Sequence, residues 1–192
     1  MTDLTCPVEL GFHRTPGAAV GIVIVGNRVY LVDGHSLRII DVSDPTNPRE
    51  QGLLEMPAFG VAVQANLAYV ANGEGGLQIV DVRDPARPHK LGAYNNPGSD
   101  DPLQPNTRKR PYAYEVAVKD TLAYVAYGDA GLRIVDISDT HHPREVGHFI
   151  PYIQLPDVGL LIGGSVRGVA VGDLVYVADG DAGLVLLKVQ RP

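Results

Sequence analysis

LRIIDVSDP at 37–45, LQIVDVRDP at 77–85 and LRIVDISDT at 132–140 are three copies of one segment, and LVLLKVQRP at 184–192 is a fourth, altered copy. A Tyr-bearing run precedes each: RVYLVDG at 28–34, LAYVANG at 67–73, LAYVAYG at 122–128 and LVYVADG at 174–180. Before these lie VGIVIVGN at 20–27, FGVAVQAN at 59–66, YEVAVKDT at 114–121 and RGVAVGD at 167–173. After the Asp-Pro turns come PREQGLL at 48–54, PHKLGAY at 88–94 and PREVGHF at 143–149. Each unit therefore predicts four short strands, a to d. The middle two are apolar at nearly every position, as strands buried on both faces require. Gly-Asn and Asp-Pro connectors supply the turns. Four strands in about 40 residues, repeated, is the pattern of propeller blades.

Spacing extends the argument to the ends of the chain. Pro48, Pro88 and Pro143 open strand d, and TCPVELGFH at 5–13 matches TNPREQGLL at 46–54, so Pro7 is a fourth member. The last unit stops at Pro192, the counterpart of Pro45, and Thr5 would continue it as Thr46 continues Pro45. The expected fold is an all-β, four-bladed β-propeller with four antiparallel strands per blade. Its blades are 18–54, 58–94, 112–149 and 166–192 plus 5–13, the ring closing as the N-terminal strand pairs with the C-terminal blade.

The LRIIDVSDP, LQIVDVRDP and LRIVDISDT segments resemble the LVIVD repeat, a bacterial and archaeal motif thought to form β-propellers. The resemblance implies a propeller and no particular activity, because blade residues define the family and many members are surface or secreted proteins of unknown role. The fourth copy departs from the motif, with Lys188 where Asp41, Asp81 and Asp136 stand in the others.

Composition narrows the function classes. The chain has 192 residues, 45% of them apolar, which fits one domain with a sizeable core. A net charge of −6 argues against nucleic acid as a partner. No apolar run reaches the ~18 residues of a membrane helix, and no secretory signal is visible, which predicts a cytoplasmic protein. The single cysteine, Cys6, excludes an intrachain disulfide and a cysteine-cluster metal site.

Propeller topology puts the b–c hairpins and the d–a connections on one face, here called upper. Two insertions fall in d–a connections, the partly basic NNPGSDDPLQPNTRKRPY at 95–112 and the apolar IPYIQLPDVGLLIGG at 150–164. Loops of this length are usually functional or disordered. The apolar one is a candidate lid, a candidate homo-oligomer contact, or packing on its own blade.

Comparison of the four copies isolates residues out of pattern. The second position of strand a reads Gly21, Gly60, Glu115 and Gly168, and the position before it Val20, Phe59, Tyr114 and Arg167. The end of strand b reads Asp33, Asn72, Tyr127 and Asp179. Glu115, Tyr127 and Tyr114 are candidate catalytic residues, with Glu115 as acid or base. Arg167, Phe59, His35, Arg110 and Tyr112 are candidate ligand contacts, with Arg167 clamping an anionic group. An alternative makes Glu115 and Arg167 an ion pair that plugs the channel. Acidic hairpins at Asp33, Glu74, Asp129, Asp179 and Asp181 raise Ca²⁺ binding, against the simpler reading that Asp and Gly are what tight turns need. No cofactor is expected otherwise. Two functions follow from this pattern. One is a module that binds a small molecule or protein through the upper face; the other is a small stand-alone lyase, isomerase or hydrolase.

Overall fold

The computed structural model describes residues 6–95, 111–154, 161–163, 165–180 and 183–189, with backbone alone for 152–154 and 161–163. Blade 1 is β1 (Gly21–Val25), β2 (Arg28–Val32), β3 (Ser36–Asp41) and β4 (Arg49–Glu55). Blade 2 is β5 (Gly60–Gln64), β6 (Leu67–Ala71), β7 (Leu77–Asp81) and β8 (His89–Tyr94). Blade 3 is β9 (Glu115–Lys119), β10 (Leu122–Ala126), β11 (Leu132–Asp136) and β12 (Arg144–Phe149). A two-stranded ribbon, β13 (Tyr152–Gln154) and β14 (Leu161–Gly163), leads into blade 4, which is β15 (Val166–Val171), β16 (Val175–Asp179) and β17 (Gly183–Leu187).

Every sheet is an antiparallel meander in chain order. The first strands of successive blades, β1, β5, β9 and β15, pack on one another, so they form the inner wall of the β-propeller and the fourth strands its rim. Between strands a and b the chain turns with positive φ, at Gly26 (60°), Ala65 (54°) and Asp120 (56°), as a two-residue hairpin matched to strand twist demands. The rim strands share a bulge. Ile39 faces Gly52 but Ile40 faces Glu50, and the same step recurs at Ile79/Val80 and Ile134/Val135. Gln51, Leu91 and Val146 are the extra residues, which bend and twist the outer strand.

The blades join by one directional rule. Tyr30, Leu37 and Ile39 of blade 1 are buried with Val61, Val70 and Val80 of blade 2. Tyr69, Leu77 and Ile79 of blade 2 are buried with Val116, Val125 and Val135 of blade 3. Tyr124 and Leu132 of blade 3 are buried with Val175 and Val177 of blade 4. The rim obeys a second rule. A methyl group on Gly52 would come within 1.8 Å of the Pro85 carbonyl oxygen, and one on Gly92 within 2.2 Å of the Thr140 carbonyl oxygen. The outer-strand glycines of blades 1 and 2 thus seat on the c–d turn of the next blade, whereas a methyl on Gly147 of blade 3 would meet, among the described residues, only Ile134 of its own blade.

The all-β blade architecture is as expected, but the pairing of an N-terminal strand with the last blade is not seen among the described residues. Residues 6–15 adopt no strand, and among the described residues β17 is bonded to β16 alone. The segment lies against blade 1: a methyl on Gly11 would meet the Pro45 carbonyl oxygen at 2.5 Å, and His13 Nε2 is 3.5 Å from Glu50 Oε2. Gly11 therefore obeys the rim rule, in the place of an outer strand preceding blade 1. Blade 4 does not reach it, because β15 does not pack on β1 as the other neighbouring inner strands pack.

Candidate functional site

At the upper ends of the inner strands four side chains expected to face a ligand form a ladder. Phe59 packs on Tyr112 with ring centroids 5.0 Å apart, and Tyr112 on Tyr114 at 4.9 Å. The Arg167 guanidinium carbon lies 4.4 Å from the centroid of the Tyr114 ring. The rings are half-buried and Arg167 is exposed. Offset aromatic contacts of this kind are favourable beyond the area they bury, and a guanidinium over a tyrosine face adds a cation–π attraction.

Two hairpin glycines make room for the ladder. Gly73 and Gly128 have φ of 61° and 59°, a region costly for a residue with a Cβ. A methyl on Gly73 would come within 2.8 Å of the Tyr112 ring and 3.0 Å of Phe59, and one on Gly128 within 2.9 Å of Tyr114. The same glycines tie blades together. Gly73 exchanges backbone hydrogen bonds with Ala113 (3.2 and 2.9 Å), and Gly128 with Val166 (2.8 and 2.9 Å).

Glu115 stands apart from this row. Its Oε1 accepts the Val116 N–H at 3.0 Å, and its side chain lies over Gly60, where a methyl would meet Oε1 at 2.5 Å. Burial pushes its carboxyl above the ordinary range, against the lowering effect of the Val116 N–H. Among the described residues Glu115 and Arg167 make no ion pair; Arg167 is engaged by the Tyr114 ring, so the channel-plug alternative is corrected. Tyr127 is also relocated. At 1% exposure it belongs to the core between blades 2 and 3, its hydroxyl donating to the Tyr94 carbonyl at 3.3 Å and its ring set edge-on to Tyr94. No ligand in the channel can touch it. His35 is exposed on the upper hairpin of blade 1, its N–H bonded to Asp33 at 3.2 Å, outside the ladder. Arg110 and Asp181 lie outside the described residues, as do most of 95–112 and the 155–160 stretch of the apolar insertion.

Two charged networks were not anticipated. Arg38 bonds Asp33 at 2.9 Å and Glu50 at 2.6 Å, and in blade 3 Arg133 bonds Glu145 at 3.1 Å, with Tyr94 and His148 (3.1 Å) on the same carboxylate. The signal was present: Arg in LRI and Glu in PRE occur together in blades 1 and 3, and blade 2 replaces both, with Gln78 and Lys90. Among the described residues no three His, Cys, Asp or Glu side chains converge as a metal site would need. Two open cavities lined by described residues lie at the lower ends of the strands. One of about 210 Å³ between blades 3 and 4 touches Lys119, Leu122, Tyr124, Gly172 and Val175; the other, about 160 Å³, sits at the Asp41–Arg49 turn.

The family model for the LVIVD repeat matches residues 16–54, 57–96, 111–150 and 163–189. No curated protein matches the chain. Among solved structures, the computationally designed Ika4 protein superposes with a TM-score of 0.65 at 8% identity, over 96% of this chain and 99% of that one. The N-terminal domain of Nup159 gives 0.43 at 12% identity, over 88% of this chain and 47% of that one.

Proposed function

The chain belongs to the LVIVD repeat family, and on that premise we propose that it is a non-catalytic binding module whose upper face grips a small molecule or a segment of a protein. The ladder from Phe59 through Tyr112 and Tyr114 to Arg167 carries the reading. It offers half-buried π faces beside an exposed guanidinium whose remaining N–H donors suit a carboxylate or phosphate in a forked geometry. The matching ligand has a flat apolar body and one anionic group.

The probe is 2-naphthoate, with neutral 2-naphthylmethanol as its control, titrated by calorimetry. Arg167→Met is expected to weaken naphthoate about tenfold, the worth of a charge-assisted hydrogen bond, and to leave the alcohol unchanged. Equal naphthoate binding by the variant, or no saturable binding of either probe, would sink the proposal.

One observation favours a second reading, a lyase, isomerase or hydrolase with Glu115 as the acid–base group: burial raises its carboxyl toward the range useful for proton transfer. Glu115→Gln separates the two readings, since the binding module predicts unaltered naphthoate affinity in that variant.

A further inference from the structure

The two ends of the four-blade arc are complementary. By the directional rule, each blade presents a Tyr-Leu-Leu/Ile face to the Val-rich face of its successor. Blade 4 has such a face largely uncovered: Leu184 and Leu186 are 66% and 52% exposed, whereas their counterparts Leu37 and Ile39 are fully buried. Blade 1 has the matching receiver, also uncovered: Ile22 and Ile24 are 68% and 62% exposed, where Val61, the counterpart of Ile22, is 8% exposed.

Backbone contacts repeat the vacancy. The hairpin N–H groups of blades 1, 2 and 3 bond forward, Gly34 to Ala58, Gly73 to Ala113 and Gly128 to Val166, but Gly180 bonds Ser165 of its own blade. A methyl on Gly60 would strike Glu115 of the next blade, and one on Gly21 would crowd both Val32 of its own blade (2.8 Å) and the Phe59 carbonyl oxygen of the next (3.1 Å). One on Gly168 would meet, among the described residues, only Ala178 of its own blade. At the rim, Gly11 already stands on the c–d turn of blade 1 in the place of an outer strand of a preceding blade, while among the described residues β17 has one unpaired edge. Such an edge invites a further strand.

We propose that two copies of this chain join head to tail, blade 4 of each against blade 1 of the other, in a closed ring of eight blades. Residues 6–13 of one copy then pair with β17 of the other. Complementary ends that differ make heterologous contacts, which close when the rotation allows. A ring of these chains holds a multiple of four blades. A ring of four would need β15 to pack on β1 as β1 packs on β5 and β5 on β9, and it does not pack to that extent; eight is the next multiple and still within the usual four to eight. The register of blade 1 puts Leu184 opposite His13, Val185 opposite Phe12 and Leu186 opposite Gly11, with Leu10 as the bulge. This interface is separate from the apolar insertion and from the ladder.

Sedimentation equilibrium on the 192-residue chain at micromolar concentration tests the idea. The expected mass is twice 20.5 kDa, with no larger species. Ile24→Glu and Leu186→Glu, each at an exposed position, should separately halve the mass while leaving the circular dichroism spectrum intact. Mixing the two variants should restore association, because one junction of the pair is then wild type on both sides. In a Cys6→Ser background, a chain carrying Phe12→Cys and Val185→Cys should oxidise to a dimer-sized product on a non-reducing gel. A monomeric mass, a monomer-sized cross-linked product, an open series of larger oligomers, or a dimer indifferent to both glutamate substitutions would each overturn the proposal.

Discussion

Arg38 donates through Nε to the buried carboxylate of Asp33 at 2.9 Å while its NH1 group holds Glu50 on the outer strand at 2.6 Å. One guanidinium thus clips the upper hairpin of blade 1 to its rim. Ser36 and the His35 N–H complete the shell of Asp33, at 2.8 and 3.2 Å.

Burial alone would raise the Asp33 carboxyl, but the bonds from Arg38, Ser36 and His35 outweigh it and hold it at about 2. A carboxyl depressed in the folded state is protonated more readily in the unfolded chain, so its contribution is present above about pH 4 and lost as pH falls towards 2. Asp33→Asn is expected to cost roughly 2 kcal/mol at pH 7 and very little near pH 2. Urea midpoints at the two pH values check this; an equal loss at both would point to packing instead of charge.

Glu115 has the opposite sign. Burial raises its carboxyl in the folded protein, so the folded state binds the proton more tightly. The stability it supplies is fully present below the unfolded pKa and is lost as pH rises through the raised value. Glu115→Gln should melt with wild type at pH 4 and above it at pH 7. A lower melting temperature for the variant at pH 7 would mean that the ionised carboxylate has a stabilising partner.

Ala65 occupies the left-handed region, at φ 54°, where the equivalent turn of blade 1 has Gly26 at 60°. An alanine there costs about 1 kcal/mol relative to glycine. Ala65→Gly is expected to raise the unfolding free energy by that amount, seen as a higher urea midpoint with an unchanged m-value. Gly26→Ala should lower it comparably, and a neutral result in both would remove backbone strain as the cause.

The blades and turns were legible because the strand period recurs in four copies and the tight turns between them, such as Gly26-Asn27, Asp44-Pro45 and Asp84-Pro85, carry a residue signature. The bulges at Gln51, Leu91 and Val146 have none, being set by rim twist. The phase of Pro7 predicted residues 5–13 as an outer strand; residues 6–13 form no strand, though Gly11 does take the rim place on blade 1. Spacing along a chain carries no information on curvature, so it could not reveal that blade 4 stops short of blade 1. Glu115 and Arg167 were paired in the sequence reading because they stand at neighbouring positions of aligned strands. Consecutive strand residues point to opposite faces: Phe59, Tyr114 and Arg167 share one row, and Glu115 sits in the row of Gly60 and Gly168. Tyr127 was misplaced for a related reason, since it ends a strand yet turns into the core beside Tyr94.

Because each blade packs on its immediate predecessor, and β1 and β15 do not pack on each other as neighbouring inner strands do, folding need not wait for distant ends to meet. The loops that must close are about one repeat long, and such short closures cost little entropy. Sequence-local contacts of this kind favour rapid folding for an all-β topology. A nascent polypeptide can therefore lay down one blade after another as it leaves the ribosome.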